Sequence, residues 1–148
     1  MNGANFLVDT NVLVYPYDRS ESRKQSKARE VLDWLEASGT GVLSTQVLAE
    51  FFWTVTRKLA QRLSAREACE RVENFIRSWR VVAITPGIVL ESGRGVLEYG
   101  IPFWDAQIWA TAKLNQIPRV LSEDFQHGRR IEGVEFLNPF KAGLFPKE

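Results

Sequence analysis

One cysteine, Cys69, and one histidine, His127, are all that 148 residues contain of either type. A lone thiol cannot form an intramolecular disulfide, so a disulfide scaffold is excluded and a reducing cytoplasm is the expected compartment. Cys69 reads as a helix-packing residue, because His127 is its only candidate base and nothing links the two. No apolar run approaches the length of a membrane span. The first residues lack a basic n-region, and Phe6-Leu7-Val8 is far too short for a signal peptide. Repeats and Gly/Ser-rich linkers are missing as well, so residues 1–148 are expected to form one domain. Neither sign of charge prevails: 19 basic against 18 acidic side chains leave a net charge of +1, and bulk charge alone does not point to a polyanion.

What is present is a regular alternation of short apolar runs and amphipathic segments. Asn5 to Val8, Val42 to Ser44, Arg80 to Ile84, Arg119 to Ser122 and Gly133 to Leu137 read as strands. Between them, Ser20 to Ala37 carries Ala28, Val31, Leu32 and Leu35 at helical spacing. Thr45 reads as the N-cap of a helix reaching about Gln61. Ser64 and Glu67 form a capping-box pattern for a helix to Ser78. Thr85-Pro86 opens a helix that ends at Gly100, and another begins near Pro102. Strands alternating with helices imply a parallel sheet covered on both faces.

Four carboxylates stand out: Asp9, Glu50, Asp105 and Asp124. Asp9 closes the first strand, where an aspartate often caps the next helix; Asn11 places a second oxygen donor beside it. Asp105 shares a helix face with Ile108 and Trp109, and a carboxylate on an apolar face is costly to bury without a metal or a basic partner. Glu50 falls at the border of the stripe formed by Val47, Phe51, Val55 and Leu59. After Val120-Leu121-Ser122, strand alternation leaves open whether Glu123 or Asp124 turns inward. Acids delivered from distant segments to one crevice repel one another unless a cation holds them, so a divalent-metal site is expected. Setting the four aside leaves 19 basic against 14 acidic residues, a mildly basic remainder suited to a polyanion.

Other candidates read more plainly. His127 is expected to be a structural hydrogen bonder. Arg57, Lys58, Arg62 and the basic residues from Arg19 to Arg29 read as solvated helix faces, with phosphate binding second. Trp34, Trp53, Trp79, Trp104 and Trp109 read as core or interface packing ahead of base stacking.

At Leu7-Val8-Asp9-Thr10-Asn11-Val12-Leu13, Ala49-Glu50-Phe51, Phe103-Trp104-Asp105-Ala106-Gln107 and Leu121-Ser122-Glu123-Asp124-Phe125, the chain resembles the PIN-domain ribonucleases, and among them the VapC-type toxins of toxin–antitoxin pairs. The four motifs occur in the family's order and reach as far as Asn138-Pro139-Phe140. The resemblance implies a three-layer α/β/α sandwich with a central, mainly parallel sheet. It selects Asp124 over Glu123, gives Asn11 and Ser122 supporting roles, and makes Asp9, Asp105 and Asp124 ligands of magnesium, or alternatively manganese. Glu50 would bind a second ion or orient the attacking water. It also implies RNA as substrate and a VapB-like antitoxin as partner, and exposed aromatics on the helices from Thr45 to Ser78 are expected to serve either that contact or a homodimer. A haloacid-dehalogenase-type phosphatase needs a second aspartate where Asn11 stands, and a receiver domain needs an acidic neighbour that Asp9 lacks. A catalytically idle scaffold that binds RNA or a protein is the remaining alternative, and four intact acids argue against it.

Overall fold

The computed structural model describes residues 5–141. The expectation of a leaderless first few residues, and the two ends of the expected 1–148 domain, lie outside those residues. Among them, six strands build one sheet: β1 (Phe6–Val8), β2 (Gly41–Ser44), β3 (Arg80–Val82), β4 (Arg119–Leu121), β5 (Arg130–Ile131) and β6 (Val134–Leu137). Their order is β3-β2-β1-β4-β6-β5, with every pairing parallel except that of β5 with β6. Successive strand residues point to opposite faces. Yet all of β1 and all of β2 is buried, so helices cover both faces, as in the expected three-layer sandwich.

The helices are α1 (Thr10–Val14), α2 (Ser22–Ser38), α3 (Thr45–Arg57), α4 (Ala65–Ser78), α5 (Pro86–Tyr99) and α6 (Phe103–Leu114), with a 3-10 turn at Tyr15–Tyr17. Their ends follow local chemistry. The capping box forms in full: the Glu67 amide donates to Ser64 Oγ at 3.1 Å and the Ser64 amide to Glu67 Oε1 at 2.9 Å. Thr85 caps α5, and Gly100 ends it with φ +66°, a backbone state that glycine adopts without strain.

Three expectations need correction. Ser44, not Thr45, caps α3: its hydroxyl accepts the Val47 amide at 3.2 Å, while Thr45 Oγ1 accepts the Ile84 amide across the sheet edge. The helix then stops at Arg57 instead of Gln61, because the chain folds back and the Leu63 amide bonds to the Val55 carbonyl at 2.9 Å. Cys69 is exposed on α4, where the neighbouring Ala68 takes the packed position. Strand β5 is an addition. It turns into β6 through Glu132-Gly133, both at positive φ as a two-residue hairpin requires.

The sheet order has a functional consequence. From β1 the chain builds outward through β2 to β3, then returns to lay β4 on the other side of β1. At such a switch point the loops leave neighbouring strands in opposite directions and open a crevice at their carboxyl ends. Asp9 is the residue after β1, and Ser122 to Asp124 follow β4.

Candidate active site

The crevice between β1 and β4 is a cavity of about 430 Å³ whose lining includes Asp9, Asn11, Glu50, Asp105 and Asp124. The four acids singled out by sequence come from four separate segments of the chain, and the fold brings all four to one cavity.

Asp9 lies deepest, with 5% of its surface exposed. It caps α1: the Thr10 amide donates to Oδ1 at 2.7 Å, and the Ser122 hydroxyl donates to Oδ2 at 2.7 Å. Burial pushes its carboxyl up to about 7. The two donors work against that rise, and nearby Asp124 and Asp105 add to it. Asp105, in the first turn of α6, is half-buried and has no hydrogen-bond or ion-pair partner among the described residues. Its pKa is also raised, by burial first and then by Asp124 and Glu50. The basic partner that would have relieved it is not there.

Glu50 on α3 is held from two sides. Thr10 Oγ1 donates to Oε1 at 2.6 Å and Gln46 Nε2 lies 3.3 Å from Oε2. Gln46 also donates to the Trp104 carbonyl and accepts from Gln107 Nε2 at 2.9 Å, tying α3 to α6 and hence Glu50 to the helix of Asp105. Thr10, Gln46 and Gln107 escaped the sequence reading. Their available signal was a pair of glutamines on apolar helix faces, where a buried amide demands a partner.

The choice between Glu123 and Asp124 has a geometric counterpart. Glu123 turns away from the cavity, accepting from Lys24 Nζ at 2.8 Å and from the Tyr15 hydroxyl. Those contacts raise the pKa of Lys24 and, together with burial, that of Tyr15. Asp124 lines the cavity instead. Its amide donates to Ser122 Oγ at 3.0 Å, and its Oδ2 accepts from Asn11 Nδ2 at 3.2 Å. Ser122 and Asn11 therefore each touch an acid. The amide oxygen of Asn11, Oδ1, is buried with no hydrogen-bond partner among the described residues.

This donor set suits a hard divalent cation. It offers carboxylate oxygens, and charge that no ion pair among the described residues cancels. No three acidic, histidine or cysteine side chains among the described residues close on one point by themselves. His127 is elsewhere: its Nδ1 accepts the Asn138 amide at 2.9 Å, the structural role expected of it. Of the tryptophans, Trp109 and Trp79 are buried and Trp34 packs on the core, but Trp53 and Trp104 are 50% and 62% exposed.

The family model of the PIN domain matches residues 6–131, a span that includes all four acids. In structure the chain is similar to a protein from a toxin–antitoxin complex of Klebsiella pneumoniae, at 19% identity and a TM-score of 0.67, over 91% of this chain and 98% of that one. It is similar to a sarcin–ricin-loop-cleaving VapC toxin of Mycobacterium tuberculosis at 19% identity and a TM-score of 0.60, covering 78% and 87% of the two chains. A chain of DNA-bound VapBC from Salmonella typhimurium superposes with a TM-score of 0.63 at 19% identity, over 89% and 96%. At these identities the likeness is one of fold. No curated protein sequence matches the chain.

Proposed function

The chain belongs to the PIN-domain family, and from that premise we propose that it is a metal-dependent endoribonuclease, the toxin of a toxin–antitoxin pair. The observation that carries this reading is the meeting of Asp9, Glu50, Asp105 and Asp124 in one crevice that Lys58 also lines, with none of the four in an ion pair among the described residues. Asp9, Asp105 and Asp124 would hold magnesium or manganese, with Glu50 at a second ion or on the attacking water. Bound there, the cation neutralises charge growing on the phosphate and acidifies water.

The chain's own groups divide the remaining work. Ser122 and the Thr10 amide orient Asp9, so that its carboxylate presents a fixed edge to the crevice. Glu50, which accepts from Thr10 and Gln46, would orient the attacking water and take its proton as the P–O bond to the leaving sugar breaks. Asn11 steadies Asp124 through its side-chain amide nitrogen.

The structural neighbours named as toxin–antitoxin complexes support a VapB-like antitoxin whose peptide blocks the crevice, an arginine reaching its carboxylates. Free of it, the protein would arrest growth; unimpaired growth on expression would contradict the toxin role. A homodimer is favoured by α5, where Leu90 and Leu97, one heptad apart, are 79% and 87% exposed. A single-protomer mass at sedimentation equilibrium would refute it. No described helix is long and apolar enough to cross a membrane, and we place the whole chain, as one nuclease domain, in the cytoplasm.

End-mapping of total RNA after expression of the wild type and of Asp105→Asn tests the activity. Cuts confined to the wild type are expected. Identical, cut-free maps would leave an idle scaffold that binds RNA or a protein.

A further inference from the structure

We propose that the ledge beside the acidic crevice, at the end of α3, is a subsite for one unpaired nucleotide of the RNA strand. Its base stacks on the Trp53 indole and its phosphate meets Lys58. The inference rests on the nuclease reading and says which form of RNA the site takes.

A second groove of about 390 Å³ runs along α3, bounded by Thr10, Ala49, Glu50, Trp53, Thr54 and Lys58. Thr10, Glu50, Thr54 and Lys58 also line the acidic cavity, so the two spaces share a wall. Trp53 is half exposed, an unusual state for the largest apolar side chain outside an interface. Lys58 Nζ lies 4.9 Å from its ring centroid and the Arg57 guanidinium 5.8 Å. Neither cation has an ion-pair partner among the described residues. Lys24, Arg94 and Lys113, on other helices, all do.

The ledge thus offers a half-exposed aromatic ring with uncancelled positive charge over it. A nucleotide has the complementary pair, a π-face and a phosphate: its base would take the place of Lys58 Nζ on the ring and its phosphate would receive that ammonium. An apolar protein surface laid here would strip water from two unpaired cations, a costly burial. Continuity with the crevice decides for substrate: a strand leaving the ledge past Glu50 brings its next phosphate among the four acids. A base inside a duplex has no free face, so the ledge selects single strands and loops. Stacking tolerates any base, so the preference is for strandedness and not for sequence.

The test uses the full chain carrying Asp105→Asn, which holds RNA without cutting it. Anisotropy is read with a labelled single strand of about a dozen nucleotides and with its duplex. Adding Trp53→Ala should weaken the single strand about fivefold to a hundredfold and leave duplex binding unchanged, while Trp53→Phe stays near the parent. Lys58→Gln should lower the slope of log affinity against log salt by roughly 0.7. Matching urea midpoints exclude unfolding as the cause. If Trp53→Ala binds single strands as the parent does while the wild type cleaves RNA, the subsite is overturned and the nuclease stands. If the parent does not bind RNA and the wild type does not cleave it, both fall. A change of sedimentation mass with RNA affinity intact would make the ledge a protein interface and overturn the subsite.

Discussion

Asp9 and Glu91 carry the same functional group, and their surroundings drive it in opposite directions. Glu91 on α5 accepts from Arg94 at 2.6 Å and from Lys113, which join it to Glu98 and Glu132; the bonds to Arg94 and then to Lys113 lower its carboxyl to about 2. Glu132 is likewise lowered to about 2, by Arg94, Tyr99 and Lys113. Every acid in that cluster has a cation, and the cluster clamps α5, α6 and the β5–β6 turn together. In the crevice the donors are only hydroxyls and amides, and Asp9 rises to about 7. The fold can neutralise its acids where structure is the only demand. At the switch point it leaves the charge uncancelled, which is what a cation-dependent site needs and what stability does not.

The contrast is sharpest in catalysis. Asp9→Asn is expected to lower cleavage of a labelled RNA by about a thousandfold or more, the several kcal/mol a metal contributes at a phosphate, whereas Glu91→Gln should leave the rate unchanged. Comparable losses in both would erase the distinction.

Stability should reverse the ranking. Below about pH 4 folded and unfolded chains both hold the Asp9 proton. Between about pH 4 and 7 only the unfolded chain releases it, so the metal-free protein loses stability as pH rises, and above about 7 the penalty is complete. Asp9→Asn, which keeps the shape, should therefore be more stable than wild type by on the order of 4 kcal/mol near pH 8 and indistinguishable near pH 4. Urea unfolding at the two pH values measures this. Glu91 and Glu132 act with the opposite sign, adding stability that is lost only as pH falls toward about 2.

Manganese supplies a smaller step. At a hundredfold excess over its dissociation constant it should stabilise the wild type by about 2.7 kcal/mol near pH 8. The gain should shrink near pH 5, where Asp9 keeps its proton, and vanish in Asp9→Asn. An equal gain at both pH values would place the ion away from Asp9. The least effect belongs to the clamp: Arg94→Gln should lower the melting temperature slightly, and high salt should remove the difference.

The sequence made some of this legible and hid the rest for identifiable reasons. Strand-end Asp9 and apolar-face Asp105 were readable because burial cost is a local property of spacing. The parting of Glu123 from Asp124 was not, since Lys24 and Tyr15, which claim Glu123, lie 99 and 108 residues away. The resemblance supplied that choice. Strand β5 was missed because its turn is Glu132-Gly133 and not the Asn-Gly that announces such a hairpin; Glu132 sits at φ +49° with Arg94, Lys113 and Tyr99 on its carboxylate. Five tryptophans read alike as packing, because exposure depends on which helix face finds a neighbour. Trp53 and Trp104 lie on faces that the core does not cover.

Ser122 Oγ gives to Asp9 and receives from the Asp124 backbone, so one oxygen atom couples the two strand ends. Mechanically it is a pivot. A pull on Asp9 is expected to reach the 122–124 turn, and through Glu123 Lys24 on α2, an outer helix far along the chain. The crevice and the outer layer are thus joined by a load path of three contacts. Ser122→Ala would cut it at its first link without altering a single charge, and hydrogen exchange in α2 on adding manganese would show whether the load still arrives.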